Sequence, residues 1–167
     1  MNLDVLIVAL FGGILVLCSY WFIFIHLRKT DGEKSVPYNR HAAWLGLKPR
    51  VVNIFITFQI LAIFGFITGI GMWTFNEDSL QHRTFLELDV IVILTLFFVS
   101  AMLWAPFFYF RSILTVVVLV ITALASVGLL GIAIHNSDTV SIASWVLLCI
   151  VTVFIDAVVW NHYYIKS

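Results

Sequence analysis

Apolar residues in this chain gather into five long runs separated by polar breaks. The runs are Leu3–Leu27, Val51–Phe75, Leu88–Phe110, Ile113–Ile134 and Ser141–Tyr164. A helix needs roughly 20 apolar residues to cross a bilayer, so the pattern predicts an all-α integral membrane protein, one five-helix transmembrane domain filling residues 1–167. The first run lacks a basic leading segment and a small-residue cleavage site, and it is too long for the core of a signal peptide, so it is expected to remain as a helix. The breaks are unequal. Arg28–Arg50 contains Pro37, Pro49, Gly32, Gly46, Tyr38 and Trp44, whereas Asn76–Glu87, Arg111–Ser112 and His135–Val140 are shorter connections. Only the first has the length to build structure of its own, and loops of that size are often functional.

Composition agrees with a lipid solvent. Hydrophobic residues make up 62% and charged residues 11%, against roughly 45–50% and about 25% in soluble domains. Mean hydropathy is +1.09. A water-soluble fold of this size would expose large apolar patches. That argues against a soluble enzyme, a disordered tail, a secreted disulfide scaffold or a nucleic-acid binder. Nine Lys and Arg balance nine Asp and Glu, so no net field favours a polyanionic partner. Cys18 and Cys149 read as small buried hydrophobes at different depths, not as a disulfide.

Charge placement gives an orientation. With the amino terminus outside, Arg28, Lys29, Lys34, Arg40, Lys48, Arg50, Arg111 and Lys166 lie inside and only Arg83 lies outside. The positive-inside rule therefore predicts N-out and C-in, with the long loop 28–50 on the inner side.

Ionisable residues within a span are candidates for function, because an unpaired charge in hydrocarbon is costly. Asp156 is the clearest. It belongs to a stripe of Trp145, Cys149, Thr152, Asp156, Trp160 and Tyr163 at three- and four-residue spacing, expected to face the bundle interior. The stripe reads either as the wall of a ligand cavity or as helix–helix glue. Gly65 and Gly69, four apart in span two, mark a packing face. Glu87 and Asp89 open span three, where interfacial solvation is the simpler reading than paired acid/base chemistry. His26 and His162 are the only histidine pair placed to ligate a haem, which keeps a b-type cytochrome open as a third reading. No mid-span Lys, H-E-x-x-H or G-x-S-x-G occurs. No catalytic or metal-ligating set is therefore expected, and enzyme activity stays open. Trp21, Trp44, Trp73, Tyr109, Tyr163 and Tyr164 fall near span ends and read as an interfacial belt. Trp104, Trp145 and Trp160 lie deeper. Aromatic walls of that kind suit flat hydrophobic ligands such as tetrapyrroles or sterols.

Leu103-Trp104-Ala105-Pro106-Phe107-Phe108 in span three, with Arg111 after it, resembles the L-W-x-P-x-F-F segment of the tryptophan-rich sensory protein/translocator protein (TspO-like) family. Val159–Lys166, with Asn161, is similar to the A-L-N-x-x-x-x-R ending of that family's fifth helix, and Lys48-Pro49 to the end of its first loop. Gln59 stands near the Trp of the family's W-x-x-L-Y signature, Ala101 replaces an Asn, and a double proline is reduced to Pro49. The resemblance implies a five-helix bundle, often dimeric, that binds porphyrin, haem or sterol for transport or sensing. It implies a pocket lined by Trp104, Phe107 and Phe108, beside a bend at Pro106, with hydrogen bonds from Asn161 and Asp156, Trp160 nearby, and Trp44 and Tyr38 closing from the loop. Val159-x3-Tyr163-x2-Lys166 matches a sterol-contact pattern, which is weak by nature. The expected partners are the bilayer and a hydrophobic small molecule, with porphyrin or haem as ligand rather than firm cofactor. The alternative is a non-catalytic accessory subunit of a larger membrane complex, which would keep the fold and lose the pocket.

Overall fold

A computed structural model describes residues 1–30, 49–110 and 112–162. It contains five helices long and apolar enough to cross a membrane. They are α1 (Leu3–Thr30), α2 (Pro49–Phe75), α3 (Val90–Tyr109), α4 (Leu114–His135) and α5 (Thr139–Cys149). The fifth continues without a break as a π-helical segment, Ile150–Trp160. α3 is the shortest uninterrupted span at 20 residues, about 30 Å at 1.5 Å per residue, enough for a hydrocarbon core.

Around the bundle the helices follow the order α1, α3, α4, α5, α2, with α2 closing back on α1. α2 and α3, consecutive in sequence, are therefore not adjacent in this order, although Phe66 of α2 stacks on Phe97 of α3 at 5.7 Å. The chain between them passes over the end of α1 as a 3-10 turn (Glu77–Leu80) and a two-stranded antiparallel hairpin, β1 (Thr84–Phe85) and β2 (Leu88–Asp89). The sequence places Leu88 and Asp89 at the head of span three. Instead they pair with Phe85 and Thr84, and Asp89 caps α3 by accepting from the Ile91 N–H at 2.8 Å. The hairpin turns on Leu86 (φ 49°) and Glu87 (φ 65°), left-handed positions normally left to Gly or Asn. No turn residue announces them, which is why the segment reads as a plain loop.

Two buried clusters fill the bundle. The larger lies toward the hairpin end and includes Val5, Ala9, Trp73, Leu94, Phe97, Leu129, Ile132, Trp145 and Leu148. Trp73 was expected at an interface, yet it is fully buried with its ring 4.6 Å from that of Trp145. The reason is the close approach of α2 and α5. A Cβ on Gly65 would stand 2.7 Å from the Ser144 carbonyl oxygen, and one on Gly69 would stand 2.9 Å from the Trp145 ring. The glycine pair is thus the contact surface its spacing suggests. Outward faces carry large apolar side chains, among them Phe11, Phe64, Leu124 and Phe154, each more than 60% exposed. Such a surface suits lipid and not water.

Polar groups in the interior are mostly paired within the bundle. Thr122 Oγ1 donates to Ser100 Oγ at 2.7 Å, and Ser126 Oγ meets Thr152 Oγ1 at 2.5 Å. Cys149 Sγ lies 3.7 Å from Ser126 Oγ, while Cys18 is exposed on α1; both thiols are free. These hydroxyls join α3, α4 and the π-helical segment across the middle of the bundle.

Candidate functional site

The second buried cluster lies toward the opposite end, where α3 finishes and the π-helical segment closes. It consists of Phe108, Leu119 and Trp160, with Trp104 packed against them. Helical spacing brings Trp104 and Phe108 onto one face of α3, and their rings stack at 5.5 Å and 9°. The Trp160 ring meets Trp104 edge-on at 5.7 Å and Phe108 at 5.4 Å. Tyr20 of α1 adds a fourth ring, edge-on to Trp104 at 5.5 Å. Edge-to-face and offset pairs of this kind stabilise by about 0.5–1.5 kcal/mol each beyond their area.

Pro106 sits inside α3, three residues before its end. Proline has no N–H, so the carbonyl of Met102 loses its helical donor. The Ser19 hydroxyl of α1 donates to it at 2.7 Å instead, tying α1 to α3 beside the aromatic cluster.

Polar atoms at this end are not all paired. Trp104 Nε1 and Asn161 Oδ1 are buried without a hydrogen-bond partner, as are Trp73 Nε1, Thr74 Oγ1 and Trp145 Nε1 elsewhere in the bundle. Asn161 Nδ2 donates to the Ala157 carbonyl at 3.0 Å, which leaves its oxygen as an idle acceptor. Asp156 is half-buried, and the Tyr20 phenol lies near enough to its carboxylate to feel the charge. Among the described residues the ion pairs are Met1–Glu77, Arg83–Asp4 and Arg83–Asp89, all at the hairpin end. The i→i+5 bonding sets the placement here. The Asn161 N–H reaches back to the Asp156 carbonyl, so the two side chains lie one turn apart on a widened helix. π-helical turns of this sort are rare and recur at functional sites.

Of the residues singled out from the sequence, Trp104, Phe108 and Trp160 meet in one cluster. Phe107 is half-buried on the same turn of α3, with its carbonyl accepting from the Ser112 N–H at 2.9 Å. Asn161 is buried and Asp156 stands one turn before it. Tyr38 and Trp44 lie outside the described residues, as do Tyr163 and the His26 side chain, while His162 is exposed. In the stripe on the fifth span, Trp145, Cys149, Thr152 and Trp160 are buried. Tyr20 and Ser19 were not singled out. A Tyr and a Ser side by side near the end of an apolar run were the available signal.

The hairpin end holds a separate polar network. Arg83 bonds to Asn2 Oδ1 at 3.3 Å and pairs with Asp4 and Asp89. His82 and His135 meet edge to face at 4.6 Å. Asn136 clamps the His82 backbone through two 2.8 Å bonds. Asp138 caps α5, accepting from the Val140 N–H at 3.2 Å and the Ser141 hydroxyl at 2.6 Å. Partial burial pushes its carboxyl up, but the Ser141 hydroxyl and the helix N–H groups outweigh that and hold it below the usual range. An open apolar groove of about 360 Å³ runs along α4 beside Phe85, Val127, Leu130, Gly131, Ile134 and His135. No group of three or more His, Cys, Asp or Glu placed to hold a metal occurs among the described residues. Comparison with protein-family models, with curated proteins and with solved structures finds no match to this chain.

Proposed function

We propose that this chain is a TspO-like membrane protein that holds a flat hydrophobic ligand, of tetrapyrrole or sterol type, among α1, α2, α3 and the π-helical segment, for transport or sensing. The observation that carries the reading is the convergence of Tyr20, Trp104, Phe108 and Trp160 at one end of the bundle, where two buried polar atoms, Trp104 Nε1 and Asn161 Oδ1, have no partner. Native interiors pair nearly all such atoms, so a bound molecule with complementary polar edges would complete this region. The likeness of Leu103–Phe108 to the family's third-helix segment points to the same place. The excess of Lys and Arg in the sequence segments that flank this end supports an N-out, C-in orientation, with the site facing the inner side.

Titrating the detergent-purified protein with protoporphyrin IX and following tryptophan fluorescence tests the reading. Saturable quenching at micromolar ligand, weakened about tenfold or more in Trp104→Ala, is expected. No saturable quenching by a folded sample removes this reading and turns the search to protein partners of an accessory subunit.

A further inference from the structure

Apart from the Trp104 indole N–H and the Tyr20 phenol, the polar groups at this end of the bundle are acceptors. Asn161 Oδ1 is a buried acceptor that receives nothing. The Asp156 carboxylate is a second acceptor, one π-turn earlier, and no Lys or Arg pairs with it among the described residues. An unpaired carboxylate within a membrane span is unfavourable by several kcal/mol unless a counter-charge approaches it. The neighbouring groups are aromatic rings. The Asp156 carboxylate acts through space on the Tyr20 phenol, Tyr20 lies against Trp104, and Trp104 lies against Phe108 and Trp160. Aromatic faces attract cations through their quadrupole, and Trp does so most strongly. A carboxylate, an amide oxygen and indole faces together favour a positive charge and disfavour a negative one.

Resting on the ligand-binding reading above, we propose that the preferred ligand is a flat organic cation, a planar aromatic or polycyclic molecule carrying a positively charged nitrogen. Asp156 is its counter-ion, Asn161 Oδ1 accepts from any N–H it carries, and Tyr20, Trp104 and Trp160 are its walls. A neutral ligand of the same shape leaves Asp156 uncompensated. A ligand whose acidic groups must enter the site is repelled by it.

N-methylacridinium and acridine, which is neutral at pH 8, share one ring system and differ in charge. Titrating the full-length protein in detergent with each dye, and following dye fluorescence against a detergent blank, isolates the charge. Saturable binding of the cation at least about tenfold tighter than the neutral dye is expected. Asp156→Asn should abolish that preference and Asp156→Glu should retain it. Equal affinity of the wild-type protein for the two dyes overturns the proposal, and means that the carboxylate is neutralised within the chain. A preference that survives in Asp156→Asn overturns it too. If Asp156→Asn does not fold, the wild-type comparison decides alone. Protoporphyrin IX on the same sample separates the two levels of the argument. Trp104-dependent porphyrin binding without a cation preference removes only the counter-ion role, whereas a folded sample that binds neither dye nor porphyrin removes the ligand-binding reading as well.

Discussion

Pro106 would be a defect in α3 if the rest of the bundle ignored it. The carbonyl it leaves without a donor, that of Met102, is taken up by Ser19 of α1 at 2.7 Å. The hydroxyl therefore substitutes for a backbone N–H, and its worth depends on the proline. Ser19→Ala should destabilise the protein by about 1 kcal/mol, since it strands a half-buried acceptor. In a Pro106→Ala background the helix regains its own donor, and Ser19→Ala should then have a clearly smaller effect. Thermal or denaturant unfolding in detergent of the four variants checks this. Equal effects in both backgrounds would show that the hydroxyl is not replacing the missing bond. Ser19 is also a residue whose role the sequence alone hides, because a lone serine in an apolar span carries no mark of the carbonyl it faces.

Glycines separate two kinds of helix surface. Gly65 of α2 faces the Ser144 backbone so closely that an added methyl would sit 2.7 Å from a carbonyl oxygen, whereas Gly13 of α1 meets nothing within 4 Å. Gly65→Ala should therefore destabilise by about 1–3 kcal/mol through forced separation of α2 and α5. Gly13→Ala should be neutral or stabilising by up to about 1 kcal/mol, from helix propensity alone. A common unfolding assay compares the two, and similar effects would refute the packing assignment. The elements at the hairpin end respond to acid. Glu77 is held below the usual carboxylate range by the hydrogen bond and charge of the amino terminus, and Asp138 by its hydroxyl and N–H donors despite partial burial. A depressed folded-state pKa contributes stability that is fully present above the ordinary carboxylate value and is lost as pH falls through the depressed one. Stability at this end should be flat from about pH 5 to 8 and fall below about pH 4. Hydrogen exchange should show residues 76–90 and 136–142 loosening first. Uniform loosening of all five helices would contradict that.

At the scale of the whole molecule, the five helices were legible because each is a run of about 20 apolar residues, the length that crossing a membrane requires. The observed helices begin and end within a few residues of the apolar runs. The hairpin was not legible, since Leu86 and Glu87 adopt left-handed backbone without a residue type that favours it. Nor was the π-helical segment, because Ile150–Trp160 reads as an ordinary apolar helix. At the site, i,i+4 spacing was enough to join Trp104 with Phe108. Tyr20 could not be found that way, because its neighbours come from a different helix. Orientation is open to direct test. With Cys18 and Cys149 replaced by Ala, a cysteine introduced at Glu87 should react with a membrane-impermeant maleimide in intact cells, and one at Ser112 should react only after permeabilisation. The reverse pattern would invert the topology and place the aromatic site on the outer side.

The hydroxyl seam bears on how such a bundle comes to exist. Ser100 Oγ also lies 2.7 Å from the Leu96 carbonyl, Thr122 Oγ1 lies 2.8 Å from that of Val118, Ser126 Oγ 2.8 Å from that of Ala123, and Thr152 Oγ1 3.0 Å from that of Leu148. Each hydroxyl is thus satisfied by its own helix before any neighbour arrives. Read as membrane spans, α3, α4 and the fifth helix can enter a bilayer singly, with no orphaned hydroxyl to oppose each entry. They can then exchange those private bonds for shared ones as they meet. Asp156 has no such provision among the described residues, so the fifth helix, read as a membrane span, is the one whose stay in lipid depends on what it finds there.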